Sequence, residues 1–177
     1  MAGHSKWKQI KHKKESLDKG RSRLFSKLTN IIQVAARDGA DPQFNPVLRN
    51  AIAQAKRQNL PQATIERAVQ KAKERDGLES LLVEAYGPEG TGLLIEAITD
   101  NRNRTVNELK SLFKSYETKL AEPGSLSWAF EKEARGYRPK FERPVSEATR
   151  DKVSRLIEAL EERDDIKSVH SSIAIRQ

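Results

Sequence analysis

The apolar period of this chain changes once, near Gly77, and that change requires two kinds of structure in one polypeptide. Before it, apolar residues recur every three or four positions. Leu24, Leu28, Ile31, Ile32 and Ala35 fall at helical spacing, and Asp38-Gly39 predicts the end of that helix, with Gly39 as a left-handed cap. Asn45-Pro46 reads as the next start: Asn caps, and Pro fits a first turn where its missing N–H is not needed. Leu48, Ala51, Ile52 and Ala55 then line one face. Pro61 opens a third helix with the stripe Ile65, Ala68, Val69 and Ala72, ending near Gly77.

Beyond Gly77 the runs are strand-like. Residues 81–86 and 93–98 flank Gly87-Pro88-Glu89-Gly90, the pattern of a hairpin. Thr105-Val106-Asn107-Glu108 has capping-box spacing, so a helix is expected to start at Thr105 and to bury Val106, Leu109, Leu112, Phe113 and Tyr116. Leu126, Trp128 and Phe130 alternate with Ser127 and Ala129, which predicts a third strand with one apolar face. Residues 136–144 hold two prolines and no period, and read as a connector. Val153, Leu156, Ile157 and Leu160 predict a fifth helix, and Val169, Ser171, Ile173 and Ile175 a closing strand. The expected class is α+β. A three-helix bundle, residues 21–76, precedes a four-stranded, mostly antiparallel α/β sandwich, residues 78–177, in the order ββαβαβ with two helices on one face.

Charge divides the chain differently. Lys6, Lys8, Lys11, Lys13, Lys14, Lys19, Arg21, Arg23 and Lys27 set nine cations against Glu15 and Asp18, a balance of +7 within a total of +8. Residues 1–20 have little apolar content, so they read as a basic arm, mobile or weakly packed helix, on a nearly neutral body. Such a footprint suits a polyphosphate partner. There is no cysteine, which removes disulfides, thiolate nucleophiles and Cys-ligated zinc and suits a reducing compartment. No apolar run approaches the roughly 18 residues of a membrane span. The start lacks both the apolar stretch of a signal peptide and the arginines of a transit peptide, so a cytoplasmic protein is expected.

The arm offers the sharpest chemistry. Its lysines suit phosphates, and Trp7 could stack on an exposed base. The alternative is a solubilising tail whose tryptophan packs on the bundle. His4, His12 and His170 do not make a metal site, being scattered and without cysteine. Glu161, Glu162, Asp164 and Asp165 raise paired-carboxylate or magnesium chemistry, but no nucleophile, histidine or glycine-rich cradle accompanies them, and they equally suit an intramolecular basic partner. Arg102 and Arg104 lie between a strand and a helix start, where they either grip a phosphate or stand beside the turn and cap residues Asp100, Asn103 and Thr105.

Longer stretches carry a resemblance. GHSKW at 3–7, IKHKK at 10–14, FSKL at 25–28, the DP..NP.LR.AI pattern at 41–52, residues 59–68, TDNRNRT at 99–105, GSLSWAF at 124–130 and residues 160–169 together resemble the YebC/PmpR family. That family includes bacterial probable transcriptional regulators and the mitochondrial translational activator of cytochrome c oxidase. The chain departs from its pattern in places. Residues 135–146 stand where the family carries a further α/β domain, which implies a short form. The turn reads GPEG where GPGG is usual, Glu117-Thr118 replace paired glycines, and His170 and Ser172 replace a tyrosine and an asparagine.

Residues and resemblance lead to one expectation: a nucleic-acid-binding regulatory protein, with no catalytic role, cofactor, metal, membrane or small-molecule substrate. Transcriptional control through DNA comes first on family grounds. A ribosome-associated translation factor on ribosomal RNA and a protein–protein adaptor are the alternatives, and a nuclease on Asp164 and Asp165 would be the enzymatic one. The expected contact residues are Lys6, Trp7, Lys8, Lys11, His12, Lys13, Lys14, Arg21, Arg23 and Lys27, followed by Arg49, Lys56, Arg57, Arg102 and Arg104. Arg49, Asn50 and Gln54 could face base edges from the second helix, although no helix-turn-helix spacing is clear.

Overall fold

The computed structural model describes residues 3–72, 77–133 and 136–173, with side chains from residue 15 onward except Ser16. The chain forms two compact units, Met1–Lys73 and Glu74–Gln177. In the first, α1 (Gly3–Ala36) is a single 34-residue helix, followed by α2 (Pro46–Arg57) and α3 (Gln62–Lys71). No break separates a basic arm from the bundle, because good helix formers occupy most of 6–19 and α1 runs on through Gly20. At 1.5 Å per residue, α1 is about 50 Å long.

Among the described side chains of α1, those that enter the core lie at its far end. Leu28, Ile32, Ala35 and Ala36 pack with Leu48, Ala51, Ala55, Leu60, Ile65 and Ala68, and Phe25 and Ile31 cover the edge. Asn45 joins two helices. Its amide donates to the carbonyls of Ala35 (2.7 Å) and Gly39 (2.8 Å), while its oxygen accepts the Leu48 N–H (3.0 Å). Gly39 has φ +145°, so it takes the turn without forming a left-handed helix cap. The cap of that kind lies at Asn59 (φ +59°): Leu60 N–H reaches Ala55 O and Asn59 N–H reaches Lys56 O, closing α2 before Pro61 starts α3.

The second unit contains β1 (Glu79–Tyr86), β2 (Gly92–Thr99), α4 (Arg102–Lys114), β3 (Lys119–Leu120), β4 (Phe130–Glu133), β5 (Gly136–Pro139), α5 (Glu147–Glu161) and β6 (Ile166–Ser171). Strands β3-β1-β2-β6 form one antiparallel sheet, and β4-β5 a second, two-stranded one. Alternate residues Leu81, Val83, Ala85, Leu93, Ile95 and Ala97 pack under Leu109 and Phe113 of α4 and Val153, Leu156, Ile157 and Leu160 of α5. The fold class is therefore α+β, and the order ββαβαβ describes the four-stranded sheet.

Three expectations need correction. Helix α4 begins at Arg102, capped by Asn101, whose oxygen accepts the Arg104 N–H (3.0 Å). Thr105 is fully buried, so its hydroxyl serves the interior instead of a cap. The third strand is Lys119–Leu120, since residues 124–127 are drawn into a turn by Glu84 and Trp128 sits in a one-turn helix, 66% exposed. Residues 136–144 are not merely a connector, because β5 pairs with β4 there. Gly136 (φ +130°) makes this possible: a Cβ on it would lie 2.3 Å from the His170 ring. Ile175, placed on the closing strand by its period, lies outside the described residues.

The departures from the family pattern share a destination. Glu89 accepts from Ser146 N–H (3.1 Å) and Thr149 Oγ1 (2.8 Å), and Glu117 pairs with Lys152 (2.6 Å). Nδ1 of His170 accepts the Tyr137 N–H (3.4 Å), and Ser172 O accepts the Arg143 N–H (2.7 Å). All four hold residues 136–152, the stretch that runs from β5 into α5.

Candidate nucleic-acid interface

Divided at the boundary between the units, the charge asymmetry is larger than the first 27 residues suggest. Residues 1–73 carry sixteen Lys and Arg against five Asp and Glu, while residues 74–177 carry seventeen against twenty. Five carboxylates cannot neutralise sixteen cations, so the helical unit keeps a positive field.

The backbone positions of Lys6, Trp7, Lys8, Lys11, His12, Lys13 and Lys14 all lie on α1, and their side chains fall outside those described. At 100° per residue, the basic positions of α1 are distributed round its whole circumference. The first turn holds no acidic residue. Cations near a helix N-terminus oppose the macrodipole, each by about 0.3–1 kcal/mol, and a bound polyanion reverses that sign. Farther along, Arg21 lies over the Phe25 ring (5.2 Å), which fixes the guanidinium while leaving it exposed. Arg23 and Lys27 are half-buried.

Helix α2 brings together only part of its expected set. Arg49 and Lys56, two turns apart, line a groove of about 590 Å³ between α2 and α3, with Ile52, Ile65 and Val69 along it. Arg49 Nη1 donates to the carbonyls of Pro42 (3.1 Å) and Gln43 (3.4 Å), so part of its fork already holds a loop. Lys56 and Arg57 are exposed in the last turn of α2, where cations complement the helix dipole.

Arg102 and Arg104 belong to the α/β unit, where both are exposed in the first turn of α4. Arg104 pairs with Asp100 and approaches Glu108 (4.0 Å). Of the acidic cluster, Asp165 proves to be an internal partner for a base. Arg163 Nε and Nη2 engage the two Asp165 oxygens (2.9 and 2.8 Å), and Nη2 also meets Glu108. Asp165, foremost, and Glu108 raise the Arg163 pKa above its ordinary value. The Thr105 hydroxyl lies 3.1 Å from Asp165 Oδ2 and 3.0 Å from Thr99 Oγ1, so this network ties α4 to the strand ends.

Two carboxylates escaped the reading of the sequence. Glu84, 5% exposed, accepts the N–H groups of Gly124 (2.7 Å), Leu126 (2.5 Å) and Ser127 (3.2 Å). Glu96 accepts from Ser168 Oγ (2.5 Å), Lys167 Nζ (3.0 Å) and His170 Nε2 (3.3 Å), and its pKa falls to about 2, chiefly through His170. With Nδ1 accepting from Tyr137, the His170 proton sits on Nε2, beside Ser168. That nitrogen cannot also take a proton from the Ser168 hydroxyl, which already donates to Glu96. The trio is a clamp between β2, β6 and β5. The two-residue period of side chains along a strand, counted from Leu81, Val83 and Ala85 in β1 and Leu93, Ile95 and Ala97 in β2, is the one signal that could have marked both carboxylates as lying on the sheet face away from the helices.

Residues 5–75 match a family model described as the TACO1/YebC protein N-terminal domain, and residues 78–137 one described as its second and third domain. A protein of Thermoanaerobacter pseudethanolicus named "probable transcriptional regulatory protein" is 46% identical over 136 residues, covering 75% of this chain and 55% of the relative. One of the same name from Carboxydothermus hydrogenoformans is 43% identical over 148 residues, covering 81% and 61%. The chain thus spans little more than half the length of these curated relatives. The crystal structure of a conserved hypothetical protein from Aquifex aeolicus superposes with a TM-score of 0.81 at 29% identity, covering 89% of this chain and 91% of that one.

Proposed function

The chain belongs to the TACO1/YebC family, and on that premise we propose that it is a nucleic-acid-binding regulatory protein that docks on phosphates through α1. The carrying observation is the helical unit itself: sixteen cations against five anions, with the basic run built into one continuous helix. The contact set is Lys6, Trp7, Lys8, Lys11, His12, Lys13, Lys14, Arg21, Arg23 and Lys27, with Arg49, Lys56 and Arg57 beside it. Relatives named as transcriptional regulators support DNA as the target. No catalytic step, cofactor or small-molecule substrate enters this reading.

A ribosome-associated role on RNA is the second reading, and a specific observation favours it. Lysines act as point charges suited to backbones, and Arg49, the base-reading candidate on α2, already holds Pro42 and Gln43. Binding is tested by titrating the full chain against labelled duplex DNA and RNA over a salt series. Engagement of about five to seven DNA phosphates gives a log–log slope of roughly −5 to −6. Replacing Lys6, Lys8, Lys11, Lys13 and Lys14 by Gln is expected to flatten it by about 4; an unchanged slope removes α1 from the interface. Crosslinking in cells with separate sequencing of bound DNA and RNA decides the target, since reads concentrated on ribosomal RNA without an enriched promoter overturn the transcriptional reading.

A further inference from the structure

On the sheet face away from the helices, β1 ends in Tyr86, 41% exposed, and the turn clamped by Glu84 presents Trp128, 66% exposed. Both rings are anchored at one point. Trp128 Nε1 donates to Ser125 O at 2.8 Å, and the Tyr86 hydroxyl donates to the same oxygen at 3.3 Å. Each ring thus has its polar atom occupied and much of its apolar surface uncovered. A cation adjoins each: Lys119 stands opposite Tyr86 in the β1–β3 register, and Lys140 Nζ donates to Trp128 O (2.8 Å). Among the described residues neither lysine has an ion-pairing carboxylate, whereas nearby Arg138 is held by Glu131 (3.6 Å) and Glu133 (3.0 Å).

We propose that Tyr86 and Trp128 form a stacking platform for unpaired bases of a single-stranded nucleic acid, with Lys119 and Lys140 meeting its phosphates. The order cation, ring, ring, cation decides the class of partner. Apolar rings alone would suit a protein surface, but rings bordered by uncompensated lysines complement a chain that alternates flat bases with anions. Rings already anchored lose little freedom on binding. A duplex keeps its bases inside the stack and cannot use them. This inference extends the nucleic-acid reading to the α/β unit and stands apart from α1.

The test is anisotropy of the full chain with labelled 12-mers of rU and dT and with a 12-base-pair DNA duplex. Trp128→Ala is expected to weaken single-strand binding about tenfold, within the range for one stacked base, and to leave duplex binding within about twofold. Trp128→Phe retains most of the affinity, and Lys140→Gln lowers the single-strand salt slope by about 0.7. Tyr86→Leu, checked by circular dichroism for an unchanged fold, is a second route to the same loss. Unchanged single-strand affinity in both ring variants overturns the platform, as does an equal loss on duplex or an effect confined to association with a protein. If the five-lysine variant loses binding while Trp128→Ala does not, only this inference falls. If the wild type binds none of the probes, both readings fall.

Discussion

Arg163 of the α/β unit ends on the carboxylates of Asp165 and Glu108, and Arg104 on Asp100, whereas Arg21 of the helical unit ends on the face of Phe25 and Arg49 on two backbone carbonyls. One unit holds more anions than cations; the other has five anions for sixteen cations, too few to pair them all. The first arrangement uses charge to hold elements together, as when Asp165 links Arg163 to Thr105 on α4. The second leaves charge to be compensated from outside. Placement within a fold, more than the number of cations, separates a structural arginine from one offered to a ligand.

Four substitutions would break or sharpen that contrast. The largest effect is expected where charge plays no part. Phe113→Ala empties a fully buried position beneath the sheet and should cost about 3–5 kcal/mol, read as faster amide exchange in β1 and β2. In the helical unit, Asn45→Ala removes a cap and strands the carbonyls of Ala35 and Gly39, costing about 2–3 kcal/mol. Its signature is exchange in the last turns of α1 and the first of α2, and protection equal to wild type there would refute the joint.

Acid should act on the α/β unit next. The carboxyl of Glu96 lies near 2 in the folded chain against 4.5 unfolded, so its contribution is complete above about 4.5 and is lost as pH falls toward 2. Glu96→Gln should remove about 2 kcal/mol at neutral pH after allowance for partial exposure, and flatten that acid limb. A limb of the same depth in the variant would assign the acid sensitivity elsewhere. The smallest effect separates folding from binding. Ser5→Glu places an anion in the first turn of α1 and should stabilise the helix by about 0.5 kcal/mol, seen as greater ellipticity at 222 nm, while weakening affinity for duplex DNA. A parallel rise in both would remove the electrostatic account of α1.

Much of the fold was legible because it is local. Asn45-Pro46 and Pro61 marked helix starts that a chain can read from its own turn, and the stripes through Leu48 and Ile65 lie where their period put them. The hairpin around Gly87 followed from two runs and a turn. The capping box at Thr105 failed for an instructive reason. Asn101 caps first, and the Thr99–Asp165 network gives the buried Thr105 hydroxyl a better use. The alternation at Leu126 to Phe130 misled in the same way, since Glu84 gathers the preceding N–H groups and turns Trp128 outward. Of the candidate site residues, the cations on α1 and α2 were named by charge, while the proposed platform of Tyr86, Lys119, Trp128 and Lys140 carried no signal that their spacing could supply.

By itself the sequence determined the helices, the hairpin, the change of architecture near Gly77 and the basic character of the N-terminal unit. Each rests on period, turn chemistry or composition, which act over a few residues or need no geometry at all. Only tertiary structure decided which carboxylates are structural, which strand joins the sheet third, and which aromatic side chains face outward. Those outcomes depend on partners far apart in the chain. Glu84 meets Leu126 across 42 residues and Thr105 meets Asp165 across 60. A buried carboxylate takes whichever N–H groups the packed core brings within 3 Å, and no local spacing encodes that choice.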